Sequence, residues 1–536
     1  MRKYSVLAVL LGVLLFPVCA CANDLQVTAI SMLSRDTSNP TQANHTRAIQ
    51  FTAAWSNSWC MTGGACAGAV TNADANWDAA WLFVKYSVYA GGAWGPWLHC
   101  TLAASGHTAP SGSQITPTAD GKGAFLYRNA AGLGANTFTN TALVWKYGAD
   151  GVADTAAVKV RVFGVEMVYI PAGAFKAGDF ATGDGAFKGG TADTTPWPIN
   201  DESAITTTNT ASGGYYYVLG SGAGTGADAT GAVFTIPGAF PKGTSAFYIM
   251  KYKLSQGMYR DFLNTLSRVQ QQGRIGATIA SGDTSVTNRY VMANNTTVQY
   301  RNGIRAPAAF TANLPITFGC DLDANGTFNE ATDGEWIAAN WVNWGDVAAF
   351  ADWAGLRPFT ELEYEKAARG VQSPLAGEYA WGSTSYVNTA AVDGNAGKKS
   401  ELPSTTSANV LVSGGLSGPI RCGAFARSGS TLRSDVGASV YGVMELSGTL
   451  WERPVTVGHA TGRAFTGLHG NGALDSAGKA DVVNWPLESN ALGSGLRGGS
   501  WLDGLTNARV SDRSLAAFGS SVRYVNFGAR LARTSP

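Results

Sequence analysis

The chain has 536 residues, enough for two to four domains with cores of their own. Charged residues make up only 14%, while glycine (67) and tryptophan (16) are plentiful, which favours glycine turns and aromatic-pinned loops over long salt-bridged helices. A formal net charge of +1 without any basic tract excludes nucleic acid as an electrostatic partner.

The first residues, MRKYSVLAVLLGVLLFPVCACAND, combine a basic start, an apolar run from Val6 to Val18 and an A-x-A site at Ala20-Cys21-Ala22. This predicts a secretory leader over residues 1–22 and an exported mature chain: secreted, periplasmic or held at the cell surface. Val18-Cys19-Ala20-Cys21 is also an imperfect lipobox, so a lipid anchor on Cys21 is the alternative. No later segment approaches 18 uninterrupted apolar residues, so no transmembrane span is expected.

Residues 23–164 show short alternating runs, among them LQVTAISML, RAIQFTAAW, AWLFVKYSVYA, TALVWKYG and AAVKVRVFGV, between Gly/Asp/Asn clusters. Such runs predict an all-β sandwich acting as an accessory domain. Within it, CMTGGAC closes a short loop, and Cys60 and Cys66 are expected to form a disulfide in an oxidising compartment. Cys100, Cys320 and Cys422 remain, the last two reading as small buried hydrophobes. His45, His99 and His107 have no local acidic or thiol partner at a motif spacing.

A second unit, residues 165–536, opens on VEMVYIPAGAFKAGD, followed to Gly243 by glycine- and threonine-rich surface excursions. FYIMKYKLSQGMYRDFLNTLSR then predicts a strand and a helix with Met258, Phe262 and Leu266 on one face. NWVNWGDVAAFADWAG predicts a second helix, carrying Val347, Phe350 and Trp353. In LRPFTELEYEKAARG, Thr360 and Glu363 form a capping box at the start of a third. Glu361, Glu363 and Glu365 read as negative charge favoured by the helix dipole.

Between the first two helices, CDLDANGTFNEATDGEW offers Asp321, Asp323 and Asn325 at loop positions one, three and five, Gly326 at the turn, Thr327 at seven and Asn329 at nine. Alternating oxygen donors around a glycine turn suit a hard cation, and a structural calcium ion is the expected cofactor. Position twelve is Thr332, with Asp333 one residue late, so a plain Asx/Gly turn competes with the ion.

Taken in order, VEMVYIPAGAFKAG, FYIMKYKLSQGMYRDFLN, WVNWGDVAAFADWAGLRPFTELEYEKAARG, YAWG, YGVMELSGTLWE, LRGGSW and FGARLAR resemble the formylglycine-generating-enzyme (sulfatase-modifying factor) family from about Val165 to Arg533. The resemblance implies a C-type-lectin-like α+β domain with extensive loops. It also implies an oxidase in which paired cysteines hold copper shortly after the segment matching RGGSW. Here those positions are Asp503 and Ala508, and no cysteine follows Cys422, so neither oxidase activity nor copper, a soft ion wanting sulfur, is expected. The family also holds calcium near a G-N-V-W-E motif, matched by Gly448, Thr449, Leu450, Trp451 and Glu452 with threonine replacing the asparagine ligand. No H-E-x-x-H, G-x-S-x-G or P-loop motif is present, and His459 and His469 read as structural.

From LWERPVTVGHATGRAFTGLHGNGALDSAGKADVVNWP through GLRGGSW and ARVSDRS to the final GAR, the chain looks like the variable proteins of diversity-generating retroelements. Those display a mutable C-terminal patch on a fixed frame. The resemblance implies a variable region over 497–530, with Arg497–Trp501 and Ala508–Arg513 as frame. It implies displayed positions at Leu502, Asp503, Leu505, Thr506, Asn507, Ser514, Leu515, Phe518, Gly519, Ser520, Ser521, Val522, Tyr524, Val525 and Asn526. Aromatic side chains among small polar ones suit binding of an external protein or glycan. The expected function is therefore non-catalytic display or adhesion. A formylglycine-generating-type oxidoreductase or other metal-dependent enzyme on the same fold and a structural extracellular assembly protein are the alternatives.

Overall fold

In a computed structural model of the chain, residues 24–61, 75–181, 183–427, 430 and 432–536 are described. The leader over residues 1–22 and Cys66 lie outside them. Cys60 is disulfide-bonded.

Two antiparallel sheets organise the molecule, which is α+β. The smaller joins Gln26–Asp36, Thr46–Cys60 and Gly132–Trp145 in that order. The larger runs from an edge strand Ala532–Thr534 through Phe247–Met250, Val158–Ile170, Asp78–Ala90 and Ala124–Arg128 to Ser113–Pro117. Each of the five alternating runs picked out in the sequence lies for the most part in a strand.

Strand 78–90 shows why the two sheets pack. Its alternation sends Leu82, Val84 and Tyr86 toward the three-stranded sheet, where they meet Ile49, Phe51, Trp55, Leu143 and Trp145. Trp81 and Phe83 point the other way, into the core of the second unit. There Phe83 and Phe163 stand against Trp353, at ring-centroid distances of 5.0 and 4.9 Å, and Trp353 lies 5.3 Å from Phe262. The sheet does not stop at residue 164. Strand 158–170 pairs with 78–90 from Val158↔Val88 to Val168↔Asp78, and on its other side with 247–250.

A buried charge cluster fastens the same junction. Lys251 Nζ donates to Asp78 Oδ2 at 3.1 Å and to Glu166 Oε2 at 3.2 Å, and Asp78 also accepts from Trp55 Nε1 and Ser58 Oγ. Burial, aided by the charge of Asp78 and opposed by Lys251, pushes the Glu166 carboxyl up to about 8.

The helices form where the sequence placed them. Gln256–Leu263 buries Met258 and Phe262, while Leu266 packs just beyond its end. Trp344–Trp353 is buried on every face, which explains its apolar character all round. Glu361–Arg369 starts on the expected box: Glu363 N donates to Thr360 Oγ1 at 3.1 Å and Thr360 N to Glu363 Oε2 at 2.9 Å. Among the described residues, no helix is long and apolar enough to cross a membrane.

Candidate functional site

The C-terminal segment is held by buried arginines. Gly498 and Gly499 have φ of +91° and +68°, and a Cβ at Gly498 would sit 2.3 Å from Leu446 O, so this turn requires glycine. Arg497, just before it, donates to Glu361 Oε2 at 3.2 Å and Glu365 Oε1 at 2.7 Å. Arg513 donates to both Glu361 oxygens at 2.6 and 3.1 Å and lies 3.9 Å over the Phe187 ring. Arg530 donates to Glu452 Oε1 at 2.8 Å. These contacts correct the reading of Glu361, Glu363 and Glu365 as helix-dipole charges alone. All three are buried, and Glu363 pairs with Arg357 as Glu365 does with Arg369 and Arg497. An unpaired carboxylate would be too costly there.

Between these anchors the candidate display positions divide by burial. Leu502, Val522 and Tyr524 are 47%, 60% and 49% exposed, and Thr506 and Ser521 are also open to solvent. Asp503, Leu505, Asn507, Leu515, Phe518, Gly519, Ser520 and Val525 are half-buried. Leu505 packs against Tyr379, Trp381 and Ala508, and Leu515 and Phe518 against Trp451, Leu496 and Phe527. Two expected display positions are internal. Ser514 Oγ donates to Asp512 Oδ1 at 2.7 Å and accepts from Asn507 Nδ2 at 3.0 Å. Asn526 Nδ2 donates to Ser500 Oγ and Asp503 Oδ2, both at 3.0 Å.

The face also draws on residues far from the C-terminus. Tyr300, 41% exposed, lies 5.4 Å from Trp501 and 6.2 Å from Trp341, and Trp341 N donates to Tyr524 O at 3.0 Å. Tyr300 and Trp341 adopt left-handed φ of +48° and +58°, rare for aromatic residues. The indole N–H groups of Trp341 and Trp501 and Oδ1 of Asn526 are buried without a hydrogen-bond partner. Nothing in the local sequence around residue 300 signalled this, because the contact is made across 200 residues.

Asp503 sits beneath the face, its carboxylate accepting from Ser500 Oγ and Asn526 Nδ2, and burial raises its pKa. Ala508 is fully buried. Residues 241–535, more than half of the chain, match the sulfatase-modifying factor enzyme 1-like domain. The chain belongs to that family. Residues 165–240 lie outside the match. Comparison with curated proteins gives no match.

Within the sulfatase-modifying factor family, a copper-thiolate centre needs two thiols, and the residues at hand do not fit one. Asp503 and Ala508 carry no sulfur, and the free cysteines among the described residues, Cys100, Cys320 and Cys422, are all buried, with their thiols pushed up by desolvation. The segment Gly448–Glu452 does not fit calcium either. Glu452 Oε1 already accepts from Lys253 Nζ at 2.6 Å and Arg530 Nε at 2.8 Å. Its other oxygen and Thr449 Oγ1 lack partners, but two cations already answer the one carboxylate.

The acidic loop converges in part. One carboxylate oxygen from each of Asp321, Asp323 and Asp333 lies within 4.8 Å of the others. Gly326 N donates to Asp321 Oδ1 at 3.4 Å, with Gly326 at φ +92°, as the ion-wrapping turn requires. Of the other three expected ligands, the two amide oxygens accept hydrogen bonds and the third side chain is open to solvent. Asn329 Oδ1 accepts from Arg260 Nη1 at 2.6 Å and Cys320 N at 3.0 Å, Asn325 Oδ1 accepts from Thr327 N at 2.7 Å, and the Thr327 side chain is exposed. His459 and His469 act structurally: His459 Nδ1 accepts from Thr461 N, and His469 Nε2 accepts from Thr534 N, both at 3.0 Å.

Proposed function

We propose that this member of the sulfatase-modifying factor family is an exported, non-catalytic binding protein whose C-terminal face recognises an external protein or glycan. The observation that carries the reading is the contrast inside one segment. Arg497, Arg513 and Arg530 are buried and ion-paired, whereas Leu502, Val522 and Tyr524 between them are open, and positions 503 and 508 hold no thiol. A rigid frame carrying exposed aromatic and small polar side chains supplies contact area at low entropic cost together with adaptable hydrogen bonds. The frame also suits a segment that is diversified by a retroelement, since open positions change without touching the buried pairs.

Two outcomes are expected. A cysteine-containing sulfatase peptide incubated with the purified chain and copper yields no formylglycine by mass spectrometry, and appearance of the aldehyde overturns the non-catalytic reading. In the genome, a near-identical copy of the last hundred or so bases, differing at adenines, lies close to a reverse-transcriptase gene. If no such copy exists, the face is a fixed binding surface and diversification is wrong.

A further inference from the structure

The acidic loop holds an atom that has no partner. Asp333 is fully buried, and its Oδ1 makes no hydrogen bond, although its Oδ2 accepts from Glu330 N at 2.7 Å. A buried oxygen left unsatisfied costs about 1–3 kcal/mol, more when charged. It belongs to the same group of three carboxylates, and Asp321 beside it is also fully buried. The Arg305 guanidinium, on Asp321 Oδ2, is the only cation paired with the three among the described residues. Three converging carboxylates against one guanidinium leave an excess of negative charge in a largely buried place.

We propose that Asp321, Asp323 and Asp333 bind one calcium ion, and that the bound ion braces the edge of the C-terminal face. The donors are all oxygen, with neither thiolate nor imidazole in the group, which disfavours zinc and copper. They come from an irregular loop with one member exposed, so water completes the shell. Calcium tolerates that geometry, whereas magnesium demands a near-ideal octahedron.

Bracing follows from a chain of buried polar contacts. Asp321 N donates to Gly303 O at 2.9 Å, within the pairing of Ile304–Arg305 with Gly319–Cys320. One residue earlier, Asn302 Nδ2 donates to Asn340 Oδ1 at 3.0 Å. Asn340 Nδ2 in turn donates to Tyr300 O at 2.9 Å and to Val525 O at 3.0 Å. Asn302 and Asn340 are buried, so each of these bonds is costly to break and displacement of the loop is transmitted rather than absorbed. The relay ends at Tyr300 and Val525, on the face described above, and Trp341 N, next to Asn340, donates to Tyr524 O.

The test needs no ligand for that face, so its failure leaves the binding reading untouched. The purified chain, stripped with chelator, is titrated with CaCl2 by calorimetry and then followed by hydrogen exchange. Calcium is expected to bind with one site per chain, and to slow exchange both in residues 319–334 and in peptides containing Trp341 N. Asp323→Asn, at an exposed position, is expected to weaken the affinity at least tenfold, as is Asp333→Asn, with the calcium-free unfolding midpoint of each variant measured as the control for folding. Absence of calcium heat, or an unchanged affinity in Asp323→Asn, overturns the site. MgCl2 competing at equal concentration overturns the assignment to calcium. Protection confined to residues 319–334 overturns the bracing.

Discussion

Glu361→Ala is expected to lower the stability of the folded chain by about 3–5 kcal/mol, the cost typical of leaving a buried charge without its partner. Glu361 has no solvent exposure and accepts from Arg497, Arg513, Thr456 Oγ1 and Val457 N. Its loss leaves the buried Arg513 without a carboxylate and Arg497 with Glu365 alone, and strands a hydroxyl and an amide. The denaturant midpoint at pH 7 measures the effect. Burial by itself would raise the Glu361 pKa, but Arg513 and then Arg497 outweigh it, and the folded value lies below the ordinary one. A depressed folded pKa means that this stabilisation is present above the unfolded value of about 4.3 and is lost as pH falls through the folded value. Glu361→Gln therefore removes part of the acid sensitivity: the gap in midpoint between wild type and variant, wide at pH 7, narrows below pH 4. A gap independent of pH would show that the carboxylate charge is not what holds the arginines.

Cutting the chain at residue 164 is expected to abolish folding of the remainder. The cut removes the whole of strand 78–90 and, with it, the pairing along Val158–Ile170. Trp77, Trp81, Phe83 and Phe125 also leave the larger core. At about 3–5 kcal/mol for each buried aromatic truncated, four of them match or exceed the 5–15 kcal/mol total stability of an ordinary folded chain. Lys251 would keep Glu166 but lose Asp78. Residues 165–536 expressed alone should be insoluble or lack near-ultraviolet dichroism. A soluble product with native tryptophan signals would show that the second unit is self-sufficient, as the sequence boundary suggested.

That boundary illustrates what was legible in the sequence. Local features were read correctly because their partners lie within a few residues. Thr360 and Glu363 are one turn apart, and the runs that became strands carry their own alternation. The sheet that joins the two units was not legible, since Phe247–Met250 sits between strands drawn from near residue 165 and from the C-terminal end. The same distance problem hid the meaning of the helix glutamates. Nothing near Glu361 in the chain announces that Arg497 and Arg513 fold back onto it. In the candidate site, Leu502, Val522 and Tyr524 are open as expected, but Ser514 and Asn526 look no different in sequence from their exposed neighbours. Their burial is decided by what covers them. In the acidic loop, Asp333 stands one residue late in the spacing, yet its carboxylate converges with those of Asp321 and Asp323.

The edge strand Ala532–Thr534 carries a consequence for the order in which the molecule can be made. Arg533 places its guanidinium 4.4 Å over the Trp81 ring, donates to Asp120 Oδ2 at 2.6 Å and reaches Gly355 O. Segments far apart in the polypeptide are thus clasped by a single residue. Strands from the first part of the chain cannot complete this sheet by themselves, because Phe247–Met250 and Ala532–Thr534 come from much further along it. Contacts of such long sequence separation make for slow closure. The first strands therefore wait for partners much further along the chain before the sheet can close.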